Sequence, residues 1–206
     1  MARARPAKRI LLVEGSDDEH FVQHFCKRCG IDESFSIVNK SGFPNLRSAI
    51  PVEVKAPGRR VVGILADADA NVNGRWKEIV GELVGTGIKA QKPRRPTGTV
   101  IEGKPRVGIW LMPDNRTRGE LEDFVRKLIP QGDPVWPLAT RYIGAIPESD
   151  HKFQRHKTLK AEVHAWLAAQ KRPGRMGPAV SSGALTTDGV PLASDFAKWL
   201  RDLFRR

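Results

Sequence analysis

This chain of 206 residues has one tyrosine, two cysteines and no apolar run near the roughly 20 residues that a membrane span requires. Each shortage removes a class of function. The cysteines lie together as Cys26-Lys27-Arg28-Cys29, with His20 and His24 upstream. A zinc site needs four ligands in tetrahedral reach, and no second cysteine pair is present. The same segment reads as a helix with Phe21, Val22 and Phe25 turned inward, so free thiols are expected rather than a metal or redox pair. Aromatic residues make up only 7% of the chain and few stand among the cations, so base-stacking platforms are not expected. The basic start, Arg3, Arg5, Lys8 and Arg9, leads into an apolar stretch too short for a signal-peptide core, with no cleavage site after it. A cytoplasmic protein is the expectation, with no membrane partner.

What is present is an ordinary globular composition, 40% apolar and 28% charged, in a length that buries one good core. One domain over residues 1–206 is expected, with a core over about 8–130 and a helical extension over about 131–206. The net charge is +12. A solvated surface could account for it, but the cations are clustered. One group is Lys89, Lys92, Arg94, Arg95, Lys104 and Arg106; others are Lys152, Arg155, Lys157 and Lys160, and Lys171, Arg172 and Arg175. Clustered cations release counterions from phosphates, which gives affinity without sequence preference. Nucleic acid held through its backbone is therefore the expected partner. Oligomeric state is not legible.

Short runs rich in β-branched residues and bounded by Gly, Pro or charge predict strands at Ile10–Val13, Phe35–Val38, Val61–Leu65 and Val107–Leu111. Helical patterns fall between them at about 17–29, 44–50 and 75–86, with another at about 117–129. Such alternation predicts an α/β fold, a mostly parallel sheet flanked by helices. Gly85 to Arg106 is a long, breaker-rich connection, with Thr99–Ile101 as a candidate short strand. After Pro130 the strand signals stop, and Val135–Ile146, Lys157–Ala169 and Leu192–Phe204 read as the helices of a C-terminal portion.

Acidic residues cluster at the predicted strand ends. Glu14 and Gly15 follow the first strand, with Asp17 and Asp18 in the next helical turn; Asp67 and Asp69 end the third; Glu120 and Glu122 open the helix after the fourth. In a parallel sheet the functional crevice lies outside the carboxyl ends of the strands, so these groups are expected to converge there. Alternation along a strand end would turn Asp67 and Asp69 the same way. Singly, acids in a first helical turn mean little, because the helix dipole favours them. Together, gathered carboxylates repel one another and call for a cation. Glu14, Asp18, Asp67, Asp69, Glu120 and Glu122 are the candidate metal ligands, and oxygen-only ligation suits Mg²⁺ or Mn²⁺, two ions in all.

A strand ending Val13-Glu14-Gly15, a second ending Asp67-Ala68-Asp69, and Pro113-Asp114-Asn115 followed by Gly119-Glu120-Leu121-Glu122-Asp123 resemble a Toprim domain. That metal-binding fold is shared by topoisomerases, primases and OLD-family nucleases. The third stretch, with His164-Ala165-Trp166-Leu167 later, is similar to a family of small stand-alone Toprim proteins related to OLD nucleases (DUF3226). The resemblance implies a Rossmann-like Toprim sheet and a metal-dependent nuclease that cuts DNA or RNA by a two-metal mechanism. It makes Glu14, Asp67 and Asp69 catalytic, and places a supporting lysine near the His164 motif. Lys160 is the candidate, with Lys157 in reserve; His164 reads as a packing residue. The single Tyr142 argues against topoisomerase chemistry. OLD proteins carry an ATPase domain, but no Gly-x-x-x-x-Gly-Lys-[Ser/Thr] motif occurs here, so control by ATP would need a separate ATPase partner. The alternative is a non-catalytic Toprim adaptor that binds metal and nucleic acid in a repair or defence complex.

Overall fold

The computed structural model describes residues 7–32, 34–90 and 94–205; Arg3, Arg5 and Lys92 lie outside them. Five strands form one sheet in the order β2-β1-β3-β5-β4. β1 (Arg9–Val13), β2 (Ser36–Asn39), β3 (Val61–Asp67) and β5 (Arg106–Met112) are parallel, and β4 (Thr99–Ile101) runs antiparallel along the β5 edge. The candidate short strand is thus the fifth member of a sheet expected to have about four. Strand β3 is buried on both faces, which is why it reads as a continuous apolar run rather than an alternating one.

Alternate strand residues feed two cores. On one face Ile10, Leu12, Val62, Ile64 and Ile109 pack with Leu46 and Ile50 of α2 (Phe43–Val54) and with Ile79 and Leu83 of α3 (Val72–Val84). On the other, Leu11, Val13, Leu65 and Trp110 meet Phe25 of α1 (Ser16–Arg28), Phe124 of α4 (Leu121–Leu128) and Phe196 of the terminal helix. That second layer is completed by α5 (Trp136–Ala145), α6 (Thr158–Ala168), α7 (Met176–Ser181) and α8 (Pro191–Phe204). Helix α2 runs four residues past the expected end because Pro51 is accommodated inside it while Val54 remains buried.

Helix α8 lies close over β3 and β5, where Gly63 and Gly108 are register partners. A Cβ on Gly108 would meet Leu203 Cδ2 at 2.4 Å. Trp199 Nε1 donates to the Thr99 carbonyl at 3.3 Å, tying α8 to the edge strand. Strand order reverses between β1 and β3, since β2 lies on one side of β1 and β3 on the other. The crevice of an open α/β sheet forms at such a switch point, outside the carboxyl ends.

Candidate functional site

Glu14 and Asp67 stand at that point. Glu14 Oε1 accepts the Asp67 N–H at 2.8 Å, joining the ends of β1 and β3. Asp67 Oδ1 in turn accepts the Leu121 N–H at 3.0 Å, which fixes the start of α4 against the sheet. Asp18 sits in the first turn of α1, where its Oδ2 caps the Gly15 N–H at 2.9 Å. Glu120 precedes α4 and its N–H is capped by Asp123 Oδ2 at 2.8 Å. Glu122, in the first turn of α4, is only 3% exposed. Five of the six sequence candidates are therefore brought to one edge within mutual electrostatic range.

Asp69 is placed differently. Strand β3 ends at Asp67, and Asp69 takes a left-handed conformation with φ +48° while exchanging backbone hydrogen bonds with Gly119. Strand alternation does not extend that far, and the Asp69 carboxylate closes an ion pair with Arg75 of α3 instead. Its charge still reaches Glu14.

The carboxylates divide into two electrostatic groups. Burial pushes Glu14 up to about 7, against the Asp67 N–H and Arg75, with Asp18 and Asp69 adding repulsion. Burial likewise raises Asp18 to about 6, opposed by the Gly15 N–H and assisted by Glu122. Asp67 is held well above the usual carboxylate range by burial and by repulsion from Asp18, Glu14, Glu122 and Glu120. The ion pairs at this edge go to the second group. Lys157 pairs with Glu120, and Lys160 Nζ lies 2.6 Å from Glu122 Oε1 and 3.8 Å from Glu120 Oε2. His164 Nε2 is 3.4 Å from the same Glu122 oxygen. Burial alone would raise Glu122, but His164 and Lys160 overcome it and hold the group down at about 2. A crevice of about 630 Å³ opens here, lined among others by Asp69, Arg118, Glu120, Glu122, Lys157 and Lys160.

His164 is thus a polar partner of Glu122 rather than packing alone. Its spacing of four from Lys160 on α6 was the available signal, since such residues share a helix face. Arg75 had no such signal: its meeting with Asp69 depends on where α3 lands.

The family described as "Protein of unknown function (DUF3226)" matches residues 8–205. The chain belongs to DUF3226. No curated protein and no solved structure matches it. The span that marks it as DUF3226 includes the carboxylates of the sheet edge and the lysine-bearing helix α6 alike.

The donor set of this DUF3226 chain fits a hard divalent cation. Glu14, Asp18 and Asp67 supply only oxygen, and their partial desolvation and mutual repulsion make three anions costly without a positive charge. As the side chains stand, no three Asp, Glu, His or Cys residues among those described converge as a ready ion-binding group. Each candidate carboxylate is turned first to a backbone N–H, to a lysine or, for Asp69, to Arg75. The second oxygens of Glu14 and Asp67 have no hydrogen bond among the described residues. Glu120 and Glu122 already hold cations of the protein's own, so a second ion would have to compete with Lys157 and Lys160.

Proposed function

We propose that this protein is a divalent-metal-dependent nuclease of the Toprim type, related to OLD-family enzymes, hydrolysing phosphodiester bonds of DNA or RNA in the cytoplasm. The observation that carries the reading is the trio Glu14, Asp18 and Asp67, gathered at the switch point with Asp18 buried and the other two half-buried, and without an ion pair among the described residues. Glu14, Asp18 and Asp67 would hold the first Mg²⁺ or Mn²⁺, with Asp69 at its margin. Glu120 and Glu122 would contribute to a second. Bound metal would supply an activated water and charge stabilisation for the attacking and leaving oxygens.

The chain's own groups supply the rest. Lys160 lines the crevice beside the trio, within electrostatic reach of Asp67, and would meet negative charge developing on the phosphate, its position held by Glu122. Glu122 and His164 act through Lys160 by fixing where its ammonium sits. Lys157 and Arg118 line the crevice and would orient a phosphate backbone. ATP-dependent control, if used, falls to a partner protein.

The test is cleavage of plasmid, single-stranded DNA and RNA with Mg²⁺ or Mn²⁺, alone and with an ATPase encoded beside the gene. Cleavage should require metal and should vanish in Glu14→Gln and Asp67→Asn, while nucleic-acid binding persists. Metal and nucleic-acid binding without any cutting would instead support the adaptor reading.

A further inference from the structure

At the opposite edge of the sheet, where the strands begin, lies a shallow cleft of about 360 Å³ lined by Lys8, Arg9, Ser34, Phe35, Ser36 and Arg60. Parallel register assembles it. Arg9 pairs with Val61, the neighbour of Arg60, and Ser36 pairs with Ile10. The Arg60 N–H donates to the Lys8 carbonyl at 2.7 Å, which holds these two cationic residues side by side.

Elsewhere Arg28, Arg47, Arg59, Arg75, Arg106 and Arg205 each meet a carboxylate, whereas Arg116, Arg118, Arg141 and Arg175 do not among the described residues; what sets the cleft apart is that its cations share one concave, aromatic-walled surface. Among the described residues, Lys8, Arg9 and Arg60 form no ion pair. Arg9 has a structural task, because its Nη1 donates to Ser34 Oγ and to the Phe204 carbonyl, both at 3.2 Å, at the end of α8. That leaves it further donors, since a guanidinium carries five N–H groups. Lys8 and Arg60 are exposed and make no side-chain hydrogen bond among the described residues, so packing does not account for them.

One wall of the cleft is aromatic. Phe35 stacks on Phe204 with centroids 3.8 Å apart and planes 7° apart, so one face of its ring is covered while the residue still lines the cleft. Composition gave no reason to expect an aromatic among the cations; the fold puts one there. Three uncompensated cations and two hydroxyls suit phosphate oxygens, and a supported ring beside them suits a base.

We propose that this cleft binds a nucleoside phosphate, a unit shared by a free nucleotide and by the end of a single-stranded nucleic acid. It is separate from the carboxylate crevice: the whole of β3 lies between Arg60 and Asp67, on the order of 20 Å at strand rise.

The experiment is calorimetric titration in EDTA, which silences any metal-dependent hydrolysis and keeps the result independent of the nuclease reading. The probes are AMP, ATP, a 5′-phosphorylated ten-residue oligothymidylate and inorganic pyrophosphate. At least one nucleoside phosphate should bind saturably and weaken about tenfold in Lys8→Ala/Arg60→Ala. Phe35→Leu should weaken it about fivefold while leaving pyrophosphate unaffected. Lys55→Ala/Lys77→Ala removes the same charge at exposed positions outside the cation clusters and should change nothing. Preference for the oligonucleotide assigns a strand end, and preference for AMP or ATP assigns a free nucleotide. No saturable binding, an equal loss in the Lys55/Lys77 variant, or nucleotide affinity unchanged in Lys8→Ala/Arg60→Ala would overturn the proposal. Should Phe35→Leu not fold, Lys8→Glu/Arg60→Glu, altered only at exposed positions, decides it by the same comparison.

Discussion

Glu14 and Glu122 stand at the same sheet edge and titrate in opposite directions. Glu14 is raised from 4.5 to about 7, so the folded protein holds a proton there that the unfolded chain releases. Its burial costs nothing below about pH 4.5 and increasingly destabilises as pH climbs to 7, by roughly 3 kcal/mol at most. Glu122, lowered to about 2, stabilises above the usual carboxylate range and loses that contribution as pH falls. Thermal melts in EDTA should therefore show falling stability between pH 5 and 8, and Glu14→Gln should flatten that slope. Saturating Mn²⁺ should flatten it too, because the ion replaces the proton. Lys160→Ala leaves buried Glu122 with His164 as its remaining partner and should cost about 1–3 kcal/mol by urea denaturation. In a nuclease, the same change should slow cleavage without abolishing metal binding. Gly119→Ala offers a sharper structural break. Its φ is +142°, and a Cβ would lie 2.7 Å from Asp123 Cγ, so the bridge to Asp69 and the cap on Glu120 should both be lost. A lower melting midpoint together with weaker metal binding is the expected result.

Among the elements, the closest approach is α8 over β5, and Gly108→Ala should measure it. Leu203 is fully buried and has little room to yield, so overpacking of about 1–3 kcal/mol is expected as a shift in urea midpoint. The strands beneath were legible because burial on both faces leaves β3 a continuous apolar run, and β1 and β5 nearly so. Helices α1, α4, α6 and α8 were legible from their apolar stripes. Helix α7 was not, since Gly177 and Pro178 read as breakers, yet Gly177 is what lets α7 approach His20 and His24 of α1. The same split runs through the candidate site. Glu14 and Asp67 follow from position at strand ends, whereas the Asp69–Arg75 and Glu122–His164 pairs depend on how separate helices settle on the sheet.

For the whole molecule, a net charge of +12 sets the expected response to salt. Nucleic-acid affinity measured by fluorescence anisotropy should fall steeply and linearly on a log–log plot against KCl. Arg94→Ala/Arg95→Ala should lower affinity equally for unrelated sequences and reduce the slope; a loss confined to one sequence would contradict backbone recognition. The two-layer arrangement also has a consequence for synthesis. Phe25 and Trp110 are made early, but Val163, Trp166, Val180, Phe196 and Leu200 on the same face come from α6, α7 and α8. A ribosome adding about 5–20 residues per second needs on the order of five to twenty seconds to travel from Met112 to Phe204. Throughout that interval one apolar side of the nascent sheet lacks most of its cover, with α1 in place and α6 to α8 still to come. Such a chain should be a client of ribosome-associated chaperones, and nascent chains arrested before α8 should be sensitive to protease where those carrying α8 beyond the exit tunnel resist it.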